Sequence, residues 1–255
     1  MTLETTALPT PTDLAAAAAH DASDAHDASA FWTSGLLGTR AAQAAALAPE
    51  AAAALGAGIH SLGDAGARAH LLVVPEHTAG TPLPLVVLLH GAASDPAHVL
   101  PVLEREAEAR GIVLLVPKST GLTWDAVRNG FGPDVELLDD LLPQVFAAVP
   151  IDQDRITIAG FSDGATAALS LGLANGELFT RVIAFSPGFV VGSERNGEPA
   201  IFVSHGTADS VLPIDRTSRR IVPALERVGY EPEYHEFDGY HEVPAHIAAL
   251  AADLV

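Results

Sequence analysis

Uninterrupted apolar runs, each closed by glycine or proline, restrict what this chain can fold into. They are PLVVLLHG (84–91), GIVLLVP (111–117), RITIAG (155–160) and TRVIAFSP (180–187). A short apolar run without polar alternation is the pattern of a strand buried on both faces. ARAHLLVVP (67–75), PAIFVSHG (199–206) and PEYHEF (232–237) read as further strands. Helical spacing fills the intervals 96–110, 134–148, 163–174, 214–228 and 242–254. In the second of these, Val135, Leu138, Leu141, Leu142 and Val145 share one face. Strands alternating with helices predict an α/β fold, a mostly parallel central sheet with helices on both faces. Ligands of such sheets bind outside the carboxyl ends of the strands. The segments to read for chemistry are therefore LLHGAASDP, VPKSTGLTWD, AGFSDGA, AFSPGF, SHGTADSVLP and FDGYHEVP.

The chain has 255 residues and is 49% apolar, enough for one large domain. We divide it into an Ala-rich N-terminal segment, 1–57, and an α/β domain, 58–255. Ala-His-Asp-Ala-Ser occurs at 19–23 and again at 25–29, bringing His20, Asp21, His26 and Asp27 close in sequence. Metal binding is one use of such a cluster, but its composition reads as a low-complexity, flexible tail. Residues 41–56 are Ala-rich and read as helical, with Pro49 opening a second short helix. The net charge of −19, with Lys118 the only lysine, repels phosphate backbones and anionic membranes. Neither nucleic acid nor stable membrane insertion is expected. The absence of cysteine excludes disulfides, thiolate nucleophiles and iron–sulfur clusters. No basic leader precedes a long apolar stretch, which predicts a cytoplasmic protein.

Gly160-Phe161-Ser162-Asp163-Gly164 follows a strand and opens a helix. Glycines two positions either side of a serine let strand and helix approach closely. The turn lifts the hydroxyl above the sheet, at a helix N-terminus that favours developing negative charge. Asp209 lies just past the strand PAIFVS, where a carboxylate can accept a hydrogen bond from an imidazole. Asp215 reads as the cap of the following helix, which leaves Asp209 for the acid. Of the downstream histidines, His205 lies at a strand end, His235 within a strand and His246 on the last helix. His241 alone sits on a loop after a strand, in Asp238-Gly239-Tyr240-His241. His90 precedes the serine and reads as a brace for its own loop.

Taken together and in order, LLHGAA, GLTWD, AGFSDGA, AFSPG, HGTADSVLP and DGYHEVP resemble the phospholipase/carboxylesterase group of small α/β-hydrolases, relatives of acyl-protein thioesterases and dienelactone hydrolases. The resemblance runs from about Gly58 to Val255. It implies an α/β-hydrolase fold without a large lid domain, and a serine carboxylesterase. The catalytic residues would be Ser162 as nucleophile, Asp209 as acid and His241 as base. The backbone N–H groups of Ala92 and Asp163 would form the oxyanion hole. The elbow departs from the thioesterase branch, with Ser-Asp-Gly-Ala in place of Ser-Gln-Gly-Gly.

Trp124 reads either as a wall of the acyl pocket or as core packing. Phe161, Phe189 and Val211 are further candidate walls. The longest lid candidate, 188–199, is short, which predicts an open cleft suited to a small-molecule ester with a short acyl group. Walker A, H-E-x-x-H and G-x-G-x-x-G patterns do not occur, so no cofactor and no metal are implied. Two other readings stay open: a thioesterase or lactone/amide hydrolase with the same residues, and a non-catalytic binding protein of the same fold.

Overall fold

The computed structural model describes residues 34–50, 54–63, 70–78, 80–128, 130–192 and 194–255. The repeated His-Asp pentapeptides, and residues 51–53 of the second helix expected after Pro49, fall outside them; 49, 50 and 54–56 are not helical.

Among the described residues the sheet has eight strands: β1 (Gly58–Leu62), β2 (His70–Val74), β3 (Leu83–Leu89), β4 (Val113–Val116), β5 (Ile151–Phe161), β6 (Arg181–Phe185), β7 (Ala200–Gly206) and β8 (Glu233–Phe237). Their order is β1-β2-β4-β3-β5-β6-β7-β8. The first two pairings are antiparallel and the remainder parallel. β3 is buried along its whole length, as its unbroken apolar run requires. Its side chains alternate between two cores. Leu85, Val87 and Leu89 enter one, Val86 and Leu88 the other.

The larger core is closed by α1 (Ala42–Leu47), α4 (Asp125–Arg128), α5 (Pro133–Ala148), α6 (Asp163–Ala174) and α7 (Ser218–Arg227). The opposite face is covered by α2 (Pro96–Val99), α3 (Glu104–Arg110) and α8 (Ala245–Asp253). The single helix expected over 96–110 is split by a 3₁₀ turn at Leu100–Val102, where Pro101 has no N–H to donate. Edge strand β1 was not expected. Its half-exposed GIHSL has no apolar run to announce it. A 14-residue connection, 186–199, joins β6 to β7, and no lid domain interrupts it among the described residues. No described helix is long and apolar enough to cross a membrane.

Residues 34–50 are bound to the domain. The Leu37 N–H donates to Asn175 Oδ1 at 2.8 Å, and the Asn175 amide donates to Gly35 O at 2.8 Å. Asp139 accepts from the Gly38 and Thr39 N–H groups at 2.7 and 2.8 Å. Leu37 and Ala44 lie in the larger core. Truncating Leu37 to Ala should leave a cavity and lower the unfolding free energy by about 3 kcal/mol. Urea denaturation checks this, and an unchanged midpoint would mean that the segment does not contribute to the core.

Candidate active site

β5 ends at Phe161 and α6 begins at Asp163, so the chain reverses at Ser162, with φ 59° and ψ −121°. That conformation is costly for a residue with a side chain. Its surroundings hold it there. The Ser162 N–H donates to Phe185 O at 2.9 Å, and the Ser162 carbonyl accepts from Ala165 and Thr166 N–H at 2.9 and 3.0 Å. A Cβ on Gly160 would lie 2.2 Å from Gly164 O, and one on Gly164 would lie 2.1 Å from Leu89 O. Both positions must be glycine for α6 to pack against the ends of β3 and β5.

The Ser162 hydroxyl lies 2.9 Å from His241 Nε2, and His241 Nδ1 lies 2.6 Å from Asp209 Oδ2. A carboxylate can only accept here. His241 therefore carries its hydrogen on Nδ1, and Nε2 accepts from the serine hydroxyl. The loops that bring these residues together are joined across β7 and β8. Thr207 N–H donates to Phe237 O at 2.8 Å and Ala208 N–H to Gly239 O at 2.9 Å. Gly206 sits where a Cβ would meet Tyr240 O at 2.2 Å.

Asp209 is buried yet well supplied with donors. Oδ1 accepts from the Val211 and Leu212 N–H groups, both at 2.8 Å. His205 Nε2 lies 3.1 Å from Oδ2 and 2.8 Å from Leu212 O. Facing two acceptors, Nε2 of His205 bears the hydrogen, and Nδ1 accepts from the Ser218 hydroxyl at 2.7 Å. Burial alone would raise the Asp209 carboxyl. The Leu212 N–H, His241 and the Val211 N–H outweigh it and hold the group below the usual carboxylate range. The role of His205 was missed, because position at a strand end says nothing of what a side chain meets across a loop. Asp215, expected as a helix cap, instead lies in the 3₁₀ turn Ile214–Arg216 and pairs with Arg219 at 2.7 Å. α7 starts afresh at Ser218, with Thr217 and not Asp215 at its cap position.

The loop after β3 is built around His90. Its Nε2 accepts from Ser119 N–H at 3.1 Å, so Nδ1 bears the hydrogen and donates to Gly91 O at 2.7 Å. Trp124 donates its indole N–H to His90 O at 2.7 Å, and Ala93 N–H donates to Leu122 O at 2.7 Å. Trp124 is therefore no pocket wall. At 1% exposure it is a core residue that ties GLTWD to the β3 loop. Asp125 and Asp134 pin the far side of that segment by accepting each other's backbone N–H, at 2.9 and 2.7 Å. Among the described residues, no protein acceptor takes the Ala92 or Asp163 N–H. The Asp163 carboxylate is held by the Thr123 hydroxyl at 2.6 Å.

The other expected walls separate. The Phe161 ring packs on the His241 imidazole, with centroids 4.7 Å apart. Val211 is 64% exposed beside Asp209. Phe189 lines a different cavity, whose lining includes none of Ser162, Asp209 and His241. Among the described residues, no group of three His, Asp or Glu is arranged around a metal position.

Burial lowers the pKa of His70, His90 and His205. Each binds a proton more readily once unfolded, near pH 6.5, than when folded. Their stabilisation is present above about pH 6.5 and is lost as pH falls below it. Urea midpoints should therefore drop between about pH 7.5 and about pH 5. His90→Asn should make that drop shallower, and an unchanged pH dependence would contradict a neutral His90.

The phospholipase/carboxylesterase family matches residues 125–248. "Probable feruloyl esterase C" of Aspergillus clavatus is 30% identical over 112 residues, 43% of this chain. The match spans 40% of that relative's length. A substrate-bound fluorophosphonate-binding serine hydrolase of Staphylococcus aureus superposes with a TM-score of 0.64 at 16% identity, covering 78% of this chain and 98% of that one. The CE1 ferulic acid esterase of Anaeromyces mucronatus superposes with a TM-score of 0.57 at 20% identity, covering 76% of this chain and 88% of that one. This chain is thus an α/β-hydrolase-fold protein, similar over residues 125–248 to the phospholipase/carboxylesterase family.

Proposed function

We propose that the chain is a serine carboxylesterase working through an acyl-enzyme on Ser162. The observation that carries this reading is the unbroken hydrogen-bond chain from the Ser162 hydroxyl through His241 to Asp209. His241 accepts the hydroxyl proton as Ser162 Oγ attacks the ester carbonyl, and Asp209 stabilises the imidazolium that forms. The Ala92 and Asp163 N–H groups receive the oxyanion, the latter with the α6 dipole behind it. His241 then protonates the leaving alcohol. In the second half it takes a proton from water, whose oxygen attacks the acyl carbonyl and returns the acid and free Ser162.

The short β6–β7 connection, and the lack of a lid domain among the described residues, support a short or exposed acyl group. The names of the Aspergillus and Anaeromyces proteins favour a second reading, an aromatic acyl ester such as a ferulate. A thioesterase would use the same residues, and matched oxygen and sulfur esters separate the two. The protein should release p-nitrophenol from p-nitrophenyl acetate. Ser162→Ala should lose on the order of 10⁴–10⁶ of that rate, and Asp209→Asn about 10⁴, because the imidazole then takes the wrong tautomer. Equal rates for native and Ser162→Ala protein would remove the nucleophile assignment. No hydrolysis by either would favour a substrate outside simple esters, or a binding protein. Acetate and butyrate esters should outrun the dodecanoate and palmitate, with methyl ferulate run beside them. Faster cleavage of the long chains would sink the open-cleft reading.

A further inference from the structure

The β6–β7 connection leaves a gap in the helical layer. Parallel neighbours need a crossover, usually helical, yet among the described residues 186–199 contribute no helix. Between that connection and α7 lies a cavity of about 480 Å³, within the range of small-ligand sites. Its floor and wall are apolar: Leu173, Phe189, Val190, Ile221 and Leu225. The connection is pinned to α6, with Gly188 N–H donating to Thr166 Oγ1 and Val191 N–H to Ser170 Oγ, both at 2.9 Å. One wall of the cavity is therefore fixed before any ligand arrives.

The charge around this cavity runs against the rest of the chain. The sequence has 13 basic residues against 32 acidic ones. Here Arg195, Arg216 and Arg220 line one cavity, with Glu194 as the acid among them. Among the described residues, Arg105, Arg110, Arg155 and Arg219 form ion pairs, whereas these three do not. Arg220 spends its Nε on Asp215 O at 3.0 Å, leaving its terminal nitrogens for another acceptor. Guanidinium groups at the edge of an apolar cleft match a carboxylate or sulfonate carried on an apolar body. The lining includes none of Ser162, Asp209 and His241, and its Leu173 lies eleven residues along α6 from Ser162, roughly 16 Å at helical rise.

We propose that this cavity is a second binding site, separate from the Ser162 centre, for an amphipathic organic anion. The aromatic or alkyl body packs between Phe189 and Ile221, and the anionic group meets Arg216 and Arg220. The proposal does not depend on ester hydrolysis and is tested by binding.

The probe is 8-anilinonaphthalene-1-sulfonate, titrated by fluorescence into the full chain, with neutral N-phenyl-1-naphthylamine as its uncharged counterpart. The sulfonate should bind saturably, more weakly as salt rises. The double variant Arg216→Gln/Arg220→Gln should bind it about tenfold more weakly, with binding of the neutral probe and p-nitrophenyl acetate hydrolysis unchanged. Ala224→Trp, on the exposed edge of the cavity, should fill it and reduce binding of both probes. Sodium octanoate should displace the sulfonate at clearly lower concentration than 1-octanol does. Equal sulfonate binding by native and double-variant protein would overturn the proposal. So would loss of binding after phenylmethanesulfonyl fluoride modification of Ser162, which would put the probe in the catalytic cleft.

Discussion

The close approach of α6 to the ends of β3 and β5 is the constraint on which the rest of the site depends. Gly164 lies against Leu89 O and Gly160 against Gly164 O, at separations no Cβ could occupy. Ser162 is thereby held at a positive φ that costs on the order of 1–3 kcal/mol. Burial of almost the whole of α6 offsets that cost. One packing event therefore does three things. It lifts the hydroxyl off the sheet, leaves the Asp163 N–H at the head of a helix, and draws the β3 loop alongside.

A buried carboxylate is the second requirement. An unpaired charge at the depth of Asp209 would be strongly destabilising. The structure surrounds it with two backbone N–H groups and two imidazoles, so the ionised form prevails over burial. The two imidazoles differ in their surroundings. His241 stands at the mouth, bonded to Ser162, while His205 is fully buried between Asp209, Leu212 and Ser218. Burial lowers the pKa of His205, which favours the neutral imidazole that donates from Nε2 and accepts at Nδ1.

Most elements were legible because their patterns are local. The buried runs of β3 to β7 and the one-faced apolar spacing of α5 are statements about neighbours in sequence. β1 escaped because an edge strand half open to water needs no apolar run. The break at Pro101 and the new start at Ser218 divided helices that periodicity alone drew as continuous. The docking of Leu37 on Asn175 and of Thr39 on Asp139 bridges 100 residues of chain or more, and no local pattern reports it. Trp124 was ambiguous for the same reason. An indole beside a strand end packs inward or outward according to its acceptor, and that acceptor is the carbonyl of His90.

The sequence by itself determined the strand–helix alternation, the glycine-flanked turn at Ser162 and the loops on which Asp209 and His241 sit. Those features follow from backbone sterics and from burial patterns confined to a few adjacent residues. The tertiary structure alone decided which side chains meet. The Ser162–His241–Asp209 chain, the His205 contact, the brace made by Trp124 and the arginine-edged cavity beside α7 all join residues far apart in the chain. Their geometry depends on how the strands are ordered and how closely the helices settle on them, quantities set by packing across the whole domain.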